Sequence, residues 1–180
     1  MIQFRQDTGV MMKNVRHMVM LALLISQALV LSFLESWIPV PVAIPGVKLG
    51  LANIISIVAI SFWGYVDALI IVTLRCALSS MVGGGMTGFV FSLAGGILSA
   101  TIMTVLYKRF SKYFSILGVS IAGSIMHNVG QLAAAALIMK ELSVFSYLPV
   151  LLVSGIIMGC FVGFCSNFLI KALYKTNVFF

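Results

Sequence analysis

Seven residues of this chain carry chemistry that an apolar setting tolerates poorly: Glu35, Lys48, Asn53, Arg75, His127, Asn128 and Gln131. Each lies inside or at the edge of a long apolar run, where a charge at the centre of a spanning helix costs about 2.5 to 3.5 kcal/mol on insertion scales. Lys48 and Arg75 offer positive charge to an anionic or carbonyl-rich ligand, while Asn53, His127, Asn128 and Gln131 offer directional hydrogen bonds. His127 and Gln131 are four residues apart and share a helix face, with Asn128 beside them. The structural alternative holds Arg75 by Glu35 or by helix-end carbonyls and makes His127 an interhelical donor.

Other chemistries are excluded by what the chain lacks. The acids Asp7, Glu35, Asp67 and Glu141 are scattered, with no Asp-Asp-x-x-Asp cluster to hold magnesium for prenyl diphosphate chemistry. No phosphate-binding loop ends in Gly-Lys-Ser/Thr, so the chain does not hydrolyse nucleotides itself. Gly83-x-Gly85-x-x-Gly88 matches a dinucleotide fingerprint, yet it follows a membrane helix where that fold needs a strand. Cys76, Cys160 and Cys165 sit in apolar runs and read as buried thiols, and the step from Cys160 to Cys165 turns about 140°, which separates the pair for metal ligation. The expectation is a protein that is no enzyme and uses no cofactor or metal.

The elements that must position these residues follow from composition. Of 180 residues, 62% are hydrophobic and 8% charged, and the mean hydropathy is +1.18. A soluble domain carries roughly 25% charged residues, so this is a membrane protein. At about 20 residues per span, the chain predicts six transmembrane helices and no separate soluble domain. The reading is a cytoplasmic arm over 1–16, a single six-helix domain over 17–175 and a tail over 176–180. Spans are predicted over about 17–34, 46–62, 66–82, 89–107, 115–139 and 147–173. The net charge of +7 is not clustered with aromatics, so it points to topology and to a lipid bilayer, with no nucleic acid partner.

An even number of spans puts both termini on one side. With the N-terminus cytoplasmic, Arg5, Lys13, Arg16, Lys108, Arg109, Lys112, Lys171 and Lys175 are all inside, which satisfies the positive-inside rule. The proline segment 39–45 and the glycine loop 83–88 then face outward. Pro39, Pro41 and Pro45 forbid a regular helix there, so the second helix begins only near Gly46. Pro41, Pro45, Gly83, Gly84 and Gly85 make up a candidate outer gate. At a rise of about 1.5 Å per residue, Asn53 and Arg75 are expected roughly 10 Å below the outer ends of their helices, with His127 and Gln131 somewhat deeper.

Small residues mark packing faces. The first span carries Ala22-x3-Ser26 and Ala28-x3-Ser32 on different faces, and either Ala22 and Ser26 or Ala28 and Ser32 could dock a partner. Gly155-x3-Gly159-x3-Gly163 in the last span predicts close helix packing.

Three stretches carry a resemblance: Pro45-Gly-Val-Lys-Leu-Gly-Leu-Ala-Asn53, Ser92-Leu-Ala-Gly-Gly96 and His127-Asn-Val-Gly-Gln131. They resemble the Gx transporter family, labelled heptaprenyl diphosphate synthase component I, over about 18–173. That family is similar to the six-helix S components of energy-coupling factor (ECF) transporters. The resemblance implies a pocket on the outer side, capped by outer loops, and docking through the first helix on an ECF transmembrane coupling subunit with two ATPase subunits below. Here the small-residue motif reads Ala22-x3-Ser26 or Ala28-x3-Ser32, where those proteins commonly carry Ala-x3-Ala.

The sequence therefore predicts a subunit of the bacterial plasma membrane that captures a small-molecule substrate for uptake driven by a separate ATPase module. A second reading is a non-catalytic accessory protein in isoprenoid or quinone metabolism or electron transfer. A solitary secondary transporter ranks below both, because the spans offer only Asp67 as a coupling carboxylate.

Overall fold

The computed structural model describes residues 2–37 and 48–176. The described chain forms six α-helices: α1 (Ile2–Ser36), α2 (Asn53–Phe62), α3 (Tyr65–Ser79), α4 (Gly85–Arg109), α5 (Ile116–Met139) and α6 (Leu148–Thr176). One π-helical turn, Ser80–Gly84, joins α3 to α4, and a 3-10 turn, Leu142–Tyr147, leads into α6. Five stretches are long and apolar enough to cross a membrane: Val15–Ser36, Tyr65–Val82, Gly85–Arg109, Ile116–Met139 and Leu142–Thr176. This is a multi-pass, all-helical membrane protein.

Three features depart from the sequence reading. The second helix, expected over 46–62, begins only at Asn53 and has ten residues, a length of about 15 Å, half of a hydrocarbon core. The physical reason is Gly50, whose φ of +93° lies in a region that ends helices. The loop expected over 83–88 is shorter, because the π turn carries the chain directly into α4 at Gly85. The stretch expected as an arm over 1–16 is helical from Ile2 and continuous with the first span.

The packing centres on α5, which lies between α4 and α6. Glycines allow the close approach. A Cβ on Gly130 would stand 2.8 Å from the Gly95 Cα of α4, and one on Gly159 would stand 2.6 Å from the Ile121 Cα of α5. Gly163 meets the Leu117 Cα at 2.9 Å in the same way, so the glycine stripe of the last span packs against α5.

Besides a small cluster of Val72, Cys76 and Ala100, two larger apolar clusters occupy the bundle. One contains Leu24, Ala28, Ile57, Ile71, Met103, Val119 and Val162. The other contains Phe91, Leu132, Ala135 and Leu151. On α4 the first contributes Met103 and the second Phe91, and on α5 they contribute Val119 and Leu132. Gly95, Gly96 and His127 fall between these levels. Of the buried polar residues, Ser92 of α4 and His127, Asn128 and Gln131 of α5 fall in the layer between the two clusters.

Candidate functional site

Residues 48–52 run through this layer without regular structure, and Leu49, Gly50, Leu51 and Ala52 are all buried. Non-helical backbone at such depth persists only where its polar groups find partners in the protein. The Lys48 N–H donates to Gln131 Oε1 at 3.0 Å. The Gly50 N–H donates to the carboxylate of Glu35, which the Leu51 N–H also faces. Regular turns then begin, with the Asn53 N–H donating to Gly50 O at 3.0 Å and Ile54 N–H to Leu51 O at 3.1 Å. Glu35 thereby places an acid at the start of α2, where exposed N–H groups favour one.

Glycine is required at position 50 on two counts. Its backbone is left-handed, and a Cβ would come within 2.8 Å of Asn53 Nδ2 and 3.3 Å of His127 Cδ2. The break in the chain is thus moulded against the two residues expected to bind.

The remaining polar side chains meet here from separate helices. His127 Nε2 lies 3.0 Å from Gln131 Nε2, so one amide links the imidazole to the Lys48 backbone. Arg75, on α3, is 2% exposed and donates from Nη1 to Ser32 Oγ of α1 at 3.1 Å. Its Nη2 lies against α4, where a Cβ on Gly96 would stand 3.3 Å away. Lys48 Nζ donates to Ser79 Oγ at 3.3 Å. Arg75 and Glu35 take separate partners and form no direct ion pair. Of the seven expected site residues, Glu35, Lys48, Asn53, Arg75, His127 and Gln131 are brought together.

Asn128 is not among them. It points to α6 and donates from Nδ2 to Leu151 O at 2.7 Å, a bond between helices. A helix turns 100° per residue, which carries Asn128 off the face that His127 and Gln131 share.

Lys48, Arg75, Ser79 and Ser92 surround a cavity of about 10 Å³, room for about one water. Ser80, which opens the π turn, and Gly88, in the first turn of α4, also line it. Gly83 and Gly84 end that turn and Gly85, with φ +62°, opens α4. π turns are frequent at functional sites. Pro41 and Pro45, the other expected gate residues, lie outside the described residues. Ser32, Ser79 and Ser92 escaped the sequence reading as ligands, because a serine in an apolar helix most often bonds its own backbone.

The two small-residue faces of α1 separate clearly. Ala28 and Ser32 are fully buried, whereas Ala22 and Ser26 are exposed. Ser26 also lines an apolar groove of about 390 Å³ between α1, α2 and α6, with Val30, Ile54 and Leu169. Among the described residues no group of three or more His, Cys, Asp or Glu side chains is placed to hold a metal ion.

The family model described as heptaprenyl diphosphate synthase component I matches residues 24–169. No curated protein and no solved structure matches the chain. The chain belongs to that family.

Proposed function

We propose that this member of the heptaprenyl diphosphate synthase component I family is a membrane-embedded capture subunit. It binds a small molecule at the mid-bundle polar layer and depends on a separate ATP-driven module for uptake. One observation supports this reading above the others: Glu35, Arg75, His127 and Gln131 converge from three helices on a buried, non-helical segment carrying Lys48 and Gly50. A bundle that needed only stability would fill that layer with apolar side chains, since buried polar groups in membranes are costly and mark binding sites and pathways. Broken helices at mid-bundle are the usual binding device of membrane transporters.

In this reading both termini are cytoplasmic, which the positive-inside rule supports through Lys108, Arg109, Lys112, Lys171 and Lys175, and six segments cross the membrane, the short α2 completing the second. The exposed Ala22 and Ser26 of α1 are the docking face for an ECF-type transmembrane coupling subunit, itself carried by two ATPase subunits. Small residues there let a partner helix approach closely. The residues that bind substrate are Glu35, Lys48, Asn53, Arg75, His127 and Gln131, and Asn128 braces the helix that carries two of them.

Gentle solubilisation followed by mass spectrometry of the copurified proteins and small molecules tests this. A coupling subunit with ATPases, and a bound compound lost from Arg75→Ala and His127→Ala variants that still fold, is the expected result. The family's description favours one other reading, an accessory subunit of a prenyltransferase. Recovery of a soluble prenyltransferase with no ATPase, in a manner that depends on Lys108, Arg109 and Lys112, would replace the first reading by the second.

A further inference from the structure

Arg75 is among the largest fully buried side chains of the protein, yet only one of its three nitrogens is engaged. Nη1 donates to Ser32 Oγ, while Nε and Nη2 are buried without a partner. Those two nitrogens form one edge of the guanidinium plane. Their parallel N–H bonds are spaced to hold both oxygens of a planar oxyanion. An unmet donor pair inside a bundle carries a desolvation penalty that a ligand would relieve.

The groups beside that edge have the same character. Lys48 and Ser92 line the same cavity as Arg75. The Ser92 hydroxyl is buried without a partner, and Lys48 Nζ has only the weakly held Ser79 hydroxyl at 3.3 Å. Helices α3 and α4 and the segment before α2 thus each bring a donor-bearing residue to the wall of one space. The nearby carboxylate, Glu35, does not line it: Oε1 accepts from the Gly50 N–H, and Oε2 is buried without a partner, outside hydrogen-bond reach of Arg75. In formal charge, Arg75 and Lys48 against Glu35 leave one uncompensated positive charge.

The geometry points to a monoanionic carboxylate as the group this cavity recognises: the Nε and Nη2 edge of Arg75 grips its two oxygens, and Lys48, Ser79 and Ser92 close around them. A carboxylate fits on two grounds: it is planar and so matches the fork, and it carries the single formal charge the cluster lacks. The cavity of about 10 Å³ holds only about one water, so the carboxylate enters as the flexible Lys48 side chain moves off Ser79 and widens it. This deepens the capture reading by naming the class of compound captured, an organic acid held by its carboxylate end.

The test uses the purified full chain in detergent or nanodiscs, with thermal unfolding followed against acetate, its neutral isostere acetamide, and inorganic phosphate, all at constant ionic strength. Acetate should raise the midpoint saturably, acetamide should not, and phosphate should act less strongly. Arg75→Gln and Lys48→Gln should each weaken the acetate response by about tenfold or more, as expected for loss of a charge-assisted bond. Arg75→Lys, which keeps charge without the fork, should not restore it. Should Arg75→Gln fail to fold, Lys48→Gln and Ser92→Ala carry the same titration, with Ser92→Ala giving the smaller loss. An equal response to acetamide, a preference for phosphate, an unchanged acetate response in the Lys48 and Ser92 variants, or no saturable acetate effect would each overturn the assignment. Acetate binding by a chain that recovers no ATPase partner would overturn the capture reading alone, and recovery of the partners without acetate binding would overturn the carboxylate site alone.

Discussion

The carboxylate of Glu35, buried at the end of α1, accepts the main-chain N–H of Gly50 fifteen residues further on. An acid on one helix therefore completes the broken backbone that leads into another. Replacing Glu35 by Ala leaves that N–H buried without an acceptor and is expected to destabilise the protein by about 1 to 3 kcal/mol. Glu35→Gln retains an acceptor oxygen and should lose less. Unfolding by denaturant in micelles compares the two, and equal losses would show that the carbonyl-like oxygen is not what matters.

Two neighbouring amides on α5 should behave differently when truncated. Gln131 Oε1 holds the Lys48 N–H, so Gln131→Ala frees the start of the binding segment and should lower retention of a copurified ligand by about tenfold or more, the loss of one well-placed buried hydrogen bond with its orphaned partner. Asn128 Nδ2 holds Leu151 O of α6. Its replacement by Ala should reduce stability by about 0.6 to 1.7 kcal/mol, the range of interhelical hydrogen bonds in membranes, and leave binding nearly intact. The two readouts, retention and unfolding, separate these outcomes.

Close packing of α4 on α5 depends on paired glycines. A Cβ on Gly95 would stand 2.6 Å from His127 O, and one on Gly130 2.9 Å from Ala94 O, both backbone atoms that cannot move aside cheaply. Gly95→Ala and Gly130→Ala should each cost about 1 to 3 kcal/mol as overpacking. Gly88, in the same helix as Gly95, has nothing within 4 Å of its would-be Cβ, and Gly88→Ala should change stability by no more than about 0.5 kcal/mol. Thermal unfolding of the three variants checks the order.

The two faces of α1 offer a contrast of partner against fold. Ser26 is exposed, and Ser26→Leu should leave the isolated protein stable while reducing recovery of any partner subunit by pull-down. Ala28 is fully buried, and Ala28→Leu should destabilise by about 1 to 3 kcal/mol through overpacking. Partner recovery that is insensitive to Ser26→Leu would remove this face as the docking site.

Much of the polar cluster was legible because a charged or amide side chain in an apolar run is rare and costly. That reasoning singled out Lys48, Asn53, Arg75, His127 and Gln131 with no knowledge of contacts. It could not distinguish Asn128 from Gln131, since both are amides near one histidine and only the packing of α6 decides which way each turns. Nor could it assign Ser32, Ser79 and Ser92 to the site, because a hydroxyl in a helix satisfies itself on its own backbone as readily as it meets a distant arginine.

By itself the sequence determined that this is a helical membrane protein, because its composition leaves almost no polar surface for water. It also determined that the last span would approach a neighbour closely, because only glycines at every fourth position form so narrow a face. Tertiary structure alone decided where the second helix begins. The prolines permitted a start at Gly46, but the backbone of residues 48–52 found its partners in Glu35 and Gln131, so it had no need of a helix's own hydrogen bonds. The same packing decided which face of α1 is outward and left one edge of Arg75 unmet inside the bundle, since both depend on contacts between residues far apart in the chain.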